Sequence, residues 1–193
     1  MPMEGCHLSA VDLACRRGER LLFRKLSFAL SSGEALQIAG PNGIGKTSLL
    51  RITAGLMRPY AGTVDRAGDI ALLDDRLALD ENRALGSALD FWAKLDGRAA
   101  DVDRFGLSSL LDVPVRYLST GQRKRASLAR ISARNAPIWL LDEPLNGLDV
   151  AAVEAVETLA AEHCARGGIA LIASHQPFTL PGMKQLVLAE FTA

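Results

Sequence analysis

Residues 40–48 read Gly40-Pro41-Asn42-Gly43-Ile44-Gly45-Lys46-Thr47-Ser48, and the first eight fill every fixed position of the pattern G-x-x-x-x-G-K-[ST]. The chemistry such a segment can do is phosphate binding. Glycines let successive backbone N–H groups curl around phosphate oxygens, and a helix that starts at the end of the loop aims its positive N-terminus at the same anion. Lys46 has the reach for the β- and γ-phosphates of a nucleoside triphosphate, and the Thr47 hydroxyl can ligate Mg²⁺. A second acidic element lies in Ile138-Trp139-Leu140-Leu141-Asp142-Glu143-Pro144. An apolar run that delivers Asp142 at its end suits the carboxylate on the Mg²⁺ side of a phosphate loop, and Glu143 beside it can polarise an attacking water as general base. Alone, an acidic pair before proline often does no more than open a turn; the phosphate loop gives this one its meaning.

These residues need a scaffold that brings them together. Ala35 to Ala39 is a short apolar run leading into the glycine-rich loop, and Leu49, Leu50 and Ile52 recur after it at helical spacing until Gly55. Ile138–Leu141 and Ile169–Ala173 are apolar without alternation, as parallel strands covered on both faces are. Between them, Val150 to Arg166 is rich in Ala and Glu and predicts a helix. Strand, helix, strand in that order predicts an α/β core with a parallel sheet. The first forty residues predict strands, with Leu21 to Leu30 closed by the turn signal Ser31-Ser32-Gly33. From about Asp80 to Val113 the pattern predicts helices with polar breaks, Glu81–Leu95 and Asp101–Leu111, and no strand. The expectation is a small helical lobe over about residues 77–135, inserted in a single unit spanning 1–193.

Bulk properties narrow the function. Lys+Arg and Asp+Glu both number 22 among 193 residues, so the formal net charge is zero, where a nucleic-acid protein usually carries a basic excess. Arg123-Lys124-Arg125 therefore reads as a solvated run on a helix. The three cysteines, Cys6, Cys15 and Cys164, are far apart and form no CxxC, which speaks against a disulfide framework or zinc site. His163 and Cys164 are neighbours, and adjacent side chains diverge on a helix, so they do not read as metal ligands. The longest apolar run, Ile169 to Ala173, is far short of the ~20 residues of a spanning helix, and Met1 to Gly5 lacks the charge and apolar stretch of a signal peptide.

Leu118-Ser119-Thr120-Gly121-Gln122 resembles the signature, usually Leu-Ser-Gly-Gly-Gln, of the ABC cassettes at the head of a helix. Leu145-Asn146-Gly147-Leu148-Asp149 resembles their D-loop, and Ala173-Ser174-His175 after an apolar strand resembles their switch histidine. A lone histidine at a strand end is more often structural; its order after the D-loop reverses that here. The resemblance covers nearly the whole chain. It implies a P-loop ABC ATPase fold: a parallel core sheet, an N-terminal antiparallel β subdomain and a small inserted helical subdomain. It also implies ATP and Mg²⁺ as ligands and hydrolysis of ATP to power a membrane permease carried on another chain. In a head-to-tail homodimer, the 40–48 loop, Lys46 and Thr47 of one copy would hold the phosphates. Ser119, Gly121 and Gln122 of the other copy would close over the γ-phosphate. Asp142 and Thr47 would hold the metal, Glu143 would activate water, His175 would stabilise the phosphoryl group and Asp149 would link the two sites.

Finer features resemble the ATP-binding subunits of cytochrome c maturation (haem export) transporters: Leu13-Ala14-Cys15-Arg16, Leu22–Phe28, Ala54-Gly55-Leu56 and, above all, Gly167-Gly168 through His175-Gln176-Pro177. That resemblance implies a peripheral protein on the cytoplasmic face of the inner membrane. The sequence departs from the general pattern where an aromatic ring should stack on adenine; Cys15-Arg16-Arg17 stands there, and the guanidinium of Arg16 or Arg17 can stack instead. Arg76, after Asp74-Asp75, takes the place of the Q-loop glutamine. Thr120 replaces a signature glycine. The rivals are a soluble ABC ATPase acting on DNA or ribosomes, a transporter ATPase for another substrate, and a degenerate cassette that binds ATP as a scaffold. The neutral charge, the single cassette and the presence of Lys46, Asp142, Glu143 and His175 favour the transport ATPase.

Overall fold

The computed structural model describes residues 5–76 and 78–192. The start of the chain read for a leader and the expected lobe boundary at Leu77 lie outside the described residues. Two sheets form. The first is antiparallel, in the order β2-β1-β4, from β1 (His7–Arg17), β2 (Arg20–Ser31) and β4 (Ala61–Ala67). The second is parallel throughout, in the order β5-β6-β7-β3-β8, from β3 (Ala35–Ala39), β5 (Ile70–Leu73), β6 (Ile138–Asp142), β7 (Ile169–Ser174) and β8 (Lys184–Val187).

Successive side chains of a strand point to opposite faces, and β6 shows what each face buries. Ile138 and Leu140 pack with Leu36, Ile38, Ile169 and Leu171 against α1 (Lys46–Thr53) and the antiparallel sheet. Trp139 and Leu141 pack with Leu73, Ala170 and Ile172 against α3 (Thr120–Ala133) and α4 (Val150–Ala165). Both faces are covered, so every residue of β6 and β7 is buried, which is why these strands read as unbroken apolar runs.

Between β5 and β6 the chain forms α2 (Leu85–Asp96) and α3, with short 3₁₀ turns at Ser108–Leu110 and Val115–Tyr117. The expected helix over Asp101–Leu111 does not form. Asp101 accepts the Arg104 N–H through its carboxylate, the Ser108 hydroxyl bonds Asp103, and Gly106 sits at φ +60; these local side-chain bonds compete with the helical ladder. The helix expected from Glu81 begins at Leu85 instead. The Arg83 and Glu81 carbonyls accept from the N–H groups of Val115 and Arg116, and Asp80 accepts from Asn82. The backbone of 81–84 is thus committed to segment 113–116, with a single bridge between Ala84 and Pro114.

His163, on α4, is fully buried and stacks on Trp139 with ring centroids 4.0 Å apart. Its Nε2 lies 3.2 Å from the carbonyls of both Pro137 and Ile169, so Nε2 carries the hydrogen. Burial, with Arg166 nearby adding repulsion, pushes its pKa down from 6.5 to about 4. The unfolded chain therefore takes up a proton in this window that the folded chain refuses, and stability falls as pH drops from 6.5 toward 4. Replacing His163 by Gln should remove ~3 kcal/mol of that pH dependence from urea unfolding. Parallel pH–stability curves for the two proteins would refute this.

Candidate functional site

The parallel register gathers the chemistry at one edge of the sheet. Ala39 pairs with Ser174 and Asp142 with Ala173, so the glycine-rich loop, Asp142-Glu143 and His175 leave three adjacent strands side by side at their C-terminal ends, where ligands of open parallel sheets bind. Gly45 takes φ +121 to turn the loop into α1, a conformation that side-chain-bearing residues rarely adopt, and a Cβ there would crowd Leu22 and Phe23 at 3.3 Å. Lys46, only 5% exposed, donates to the carbonyls of Gly40 (2.7 Å) and Pro41 (3.3 Å), and its ammonium lies 2.9 Å from Glu143 Oε1.

Glu143 is held from three sides. Its backbone sits at φ +45, an αL conformation uncommon for a side-chain-bearing residue, and its N–H donates to Ala173 at 2.8 Å. Its Oε2 lies 2.8 Å from His175 Nδ1 and accepts the His175 N–H at 3.3 Å. Burial works against ionisation, but Lys46 and His175 outweigh it and hold the carboxyl below the ordinary range. Asp142 goes the other way. Burial raises its pKa, although the Thr47 hydroxyl donates to it, and Asp75 and Glu143 push in the same direction as burial. The two neighbouring carboxyls are thereby shifted in opposite directions.

A cleft of about 520 Å³ opens over these groups, lined by Asn42, Gly43, Gly45, Lys46, Thr47, Ser48, Asp142 and Glu143, and also by Asn146 and Asp75. Asp142 is 3% exposed, and its Oδ1 is buried with no hydrogen-bond partner among the described residues. A buried, unsatisfied carboxylate oxygen beside a hydroxyl is a donor set for a hard cation. No three His, Cys, Asp or Glu of the described residues form a protein cage; Mg²⁺ is commonly bound by one or two carboxylates completed by substrate phosphates.

Other expected residues are placed elsewhere. Arg16 donates to the Gly18 carbonyl and to Glu19 and lies 5.8 Å from the centre of the Tyr60 ring. Strand alternation sends Arg17 to the other side, and Arg17, Arg20 and Leu22 form the mouth of the cleft. Arg76 is absent from the lining; Asp75 is there in its stead. Ser119 caps α3, its hydroxyl accepting the Gln122 N–H at 3.2 Å while Gln122 Oε1 accepts the Ser119 N–H at 2.8 Å. Gly121 follows in the first turn, so close to Gly147 that a Cβ would come within 2.7 Å of its carbonyl. None of Ser119, Gly121 and Gln122 lines the cleft of its own chain. Asp149 caps α4, accepting the Ala152 N–H at 2.8 Å, and is exposed. Sequence reasoning did not place Asp75, Arg20 or Asn146 in the cleft, and it read Arg123-Lys124-Arg125 as a solvated run, whereas all three residues of that run are half-buried and donate to backbone carbonyls. Lys124 donates to the Glu143 carbonyl at 3.2 Å. Burial lowers its pKa, against the pull of Asp75, Asp142, Glu143 and Asp74. The one available signal was its place one helical turn after Gly121.

Comparison with known proteins bears on what this cleft does. Residues 23–146 match the profile of the ABC transporter family. The chain is 58% identical over 189 residues to the cytochrome c biogenesis ATP-binding export protein CcmA of Novosphingobium aromaticivorans, covering 98% of this chain and 99% of that protein. It is 52% identical to the protein of the same name from Sphingopyxis alaskensis, covering 94% and 96%. Among solved structures, an ABC transporter ATP-binding protein from Pyrococcus furiosus superposes with a TM-score of 0.81 at 23% identity, over 97% of this chain and all of that one, a likeness of fold.

Proposed function

The chain belongs to the ABC transporter family as an ATP-binding, ATP-hydrolysing subunit, and from that premise we propose that it drives a membrane permease that serves haem export in cytochrome c biogenesis. The observation that carries the reading is the end-to-end identity with cytochrome c biogenesis export proteins, at 58% over 98% of the chain. The process enters from those relatives; the cleft supplies the chemistry.

In the proposed mechanism the loop amides and Lys46 bind the triphosphate. Thr47 and Asp142 would hold Mg²⁺, with the unsatisfied Asp142 Oδ1 as a ligand, and the cation would supply charge neutralisation for the phosphates. Glu143 receives the proton of the attacking water, and His175, bonded to Glu143, orients it and donates toward the transferring phosphoryl group. Ser119, Gly121 and Gln122 do not line their own cleft, which supports a head-to-tail homodimer in which each copy closes the other's site, with Asp149 at the seam. Phe91 and Leu95 on α2 are 55% and 65% exposed, apolar surface suited to the permease on the helical lobe. The protein would sit peripherally on the cytoplasmic face of the inner membrane, with no part played by nucleic acid. No described helix is long and apolar enough to cross a membrane.

Deleting the gene and staining for covalently bound haem tests the process. Loss of c-type cytochromes, restored by the wild-type gene and not by a Glu143→Gln copy, is the expected result; c-type cytochromes at normal levels in the deletion strain would reject it. At the base end, Arg17 and Arg20 are the guanidinium groups at the mouth. Replacing both by Ala should cost ~0.5–2 kcal/mol of ATP affinity and leave inorganic triphosphate unchanged. With no aromatic platform, GTP should bind within about tenfold of ATP, ~1.4 kcal/mol. Equal losses for ATP and triphosphate would assign these arginines to the phosphates.

A further inference from the structure

A side-chain-bearing residue at φ +45, as Glu143 is, persists only where its surroundings hold it there. Both ends of its backbone are held. The N–H donates to the Ala173 carbonyl at 2.8 Å. The carbonyl accepts from two donors, the Asn146 N–H at 3.3 Å and the Lys124 ammonium at 3.2 Å. The first bond belongs to the turn itself, whereas the second arrives from α3.

Lys124 reaches this carbonyl because the head of α3 lies against segment 143–147. Gly121 is the point of closest approach, where a Cβ would come within 2.7 Å of the Gly147 carbonyl. Lys124 follows three residues later, on the same side of the helix. Its ammonium is half-buried and attracted by the four carboxylates of Asp75, Asp142, Glu143 and Asp74. Among the described residues it nevertheless forms an ion pair with none of them, and its hydrogen bond goes to a peptide oxygen. A cation so placed acts on the backbone.

The Glu143 side chain has other partners, Lys46 at Oε1 and His175 at Oε2. In the proposed mechanism Lys46 also binds the triphosphate, so that contact is contested when nucleotide arrives. Ala173, Asn146 and Lys124 have no phosphate to bind in that mechanism, and their bonds to the backbone remain. We propose that Lys124 is a positioning residue for hydrolysis: its bond to the Glu143 carbonyl keeps the backbone of the base in place while the carboxylate changes partners. The proposal rests on the reading of Glu143 as general base.

Lys124→Met preserves the length of the side chain and removes the donor. Its kcat should fall about 10- to 100-fold, since misplacing a reacting group by about 1 Å costs about that much. Equilibrium affinity for ATP should stay within about twofold of wild type, which also shows that the variant is folded. Lys124→Arg, with N–H groups still to donate, should recover most of the rate. A double variant gives the sharper reading. With Glu143→Gln in place there is no base left to position, so adding Lys124→Met should change the residual rate by less than about twofold, whereas independent effects would multiply. Glu143→Gln alone tests the base: undiminished turnover in that variant would reject both readings. If Glu143→Gln is slow, the positioning role alone is overturned by a Lys124→Met kcat within about threefold of wild type. Loss of ATP affinity matching the loss of rate, or the full Lys124→Met effect persisting beside Glu143→Gln, would overturn it as well.

Discussion

Replacing Lys46 by alanine is expected to weaken ATP binding about 10- to 150-fold, because charge-assisted contacts to the triphosphate worth ~1.5–3 kcal/mol disappear. The side chain is 5% exposed and held at the loop by the Gly40 and Pro41 carbonyls, so few rotamers need be given up on binding and most of the contact energy reaches the ligand. Equilibrium titration with labelled ATP reads the effect. Affinity within about twofold of wild type would remove Lys46 from the phosphate site. Folding is checked separately, since the change also strips Glu143 of its cation.

Glu143→Gln should reduce turnover about 100- to 10,000-fold while ATP binding persists, since an amide keeps the shape but cannot take a proton. The wild-type carboxyl is held below the ordinary range by Lys46 and His175 against the effect of burial, so it is ionised at neutral pH and ready to accept one. Blocking the chemical step should trap the ATP-bound form, and sizing with ATP and Mg²⁺ should then show a dimer. Turnover within about threefold of wild type would move the base to another residue. Monomer alone would refute the sandwich for the isolated subunit, and repeating the measurement with the permease would then show whether the permease is required.

The sequence made the edge that carries the candidate site legible because its determinants are local. Phosphate-loop glycines, an acid at a strand end and a histidine after an apolar run are each written in consecutive residues, and β6 and β7 were readable because burial on both faces leaves no polar interruption. What was hidden depends on contacts between distant segments. β4 is mostly exposed and β8 is four residues long at a sheet edge, so neither carries an apolar rhythm. Asp101–Leu111 has helical spacing, yet its own carboxylates and hydroxyl bond the backbone and each other. Arg16 and Arg17 are equivalent in one dimension; only strand alternation separates the one paired with Glu19 from the one at the cleft. The stack of His163 on Trp139 needs α4 laid against β6, which no local pattern records.

The ion pair between Lys46 and Glu143 makes Glu143, the proposed general base, an internal competitor of the nucleotide. Carboxylate and γ-phosphate seek the same ammonium, so an arriving triphosphate must displace Glu143 before it can use Lys46 in full. Displacement strips from the carboxyl one of the two partners that hold its proton affinity down, so the base strengthens as substrate arrives. Binding and activation thus become one exchange of counter-ions, and part of the intrinsic affinity of the loop for ATP is consumed in it. Neutralising the competitor should therefore give Glu143→Gln a tighter grip on ATP than the wild-type protein has, measured at equilibrium before any turnover.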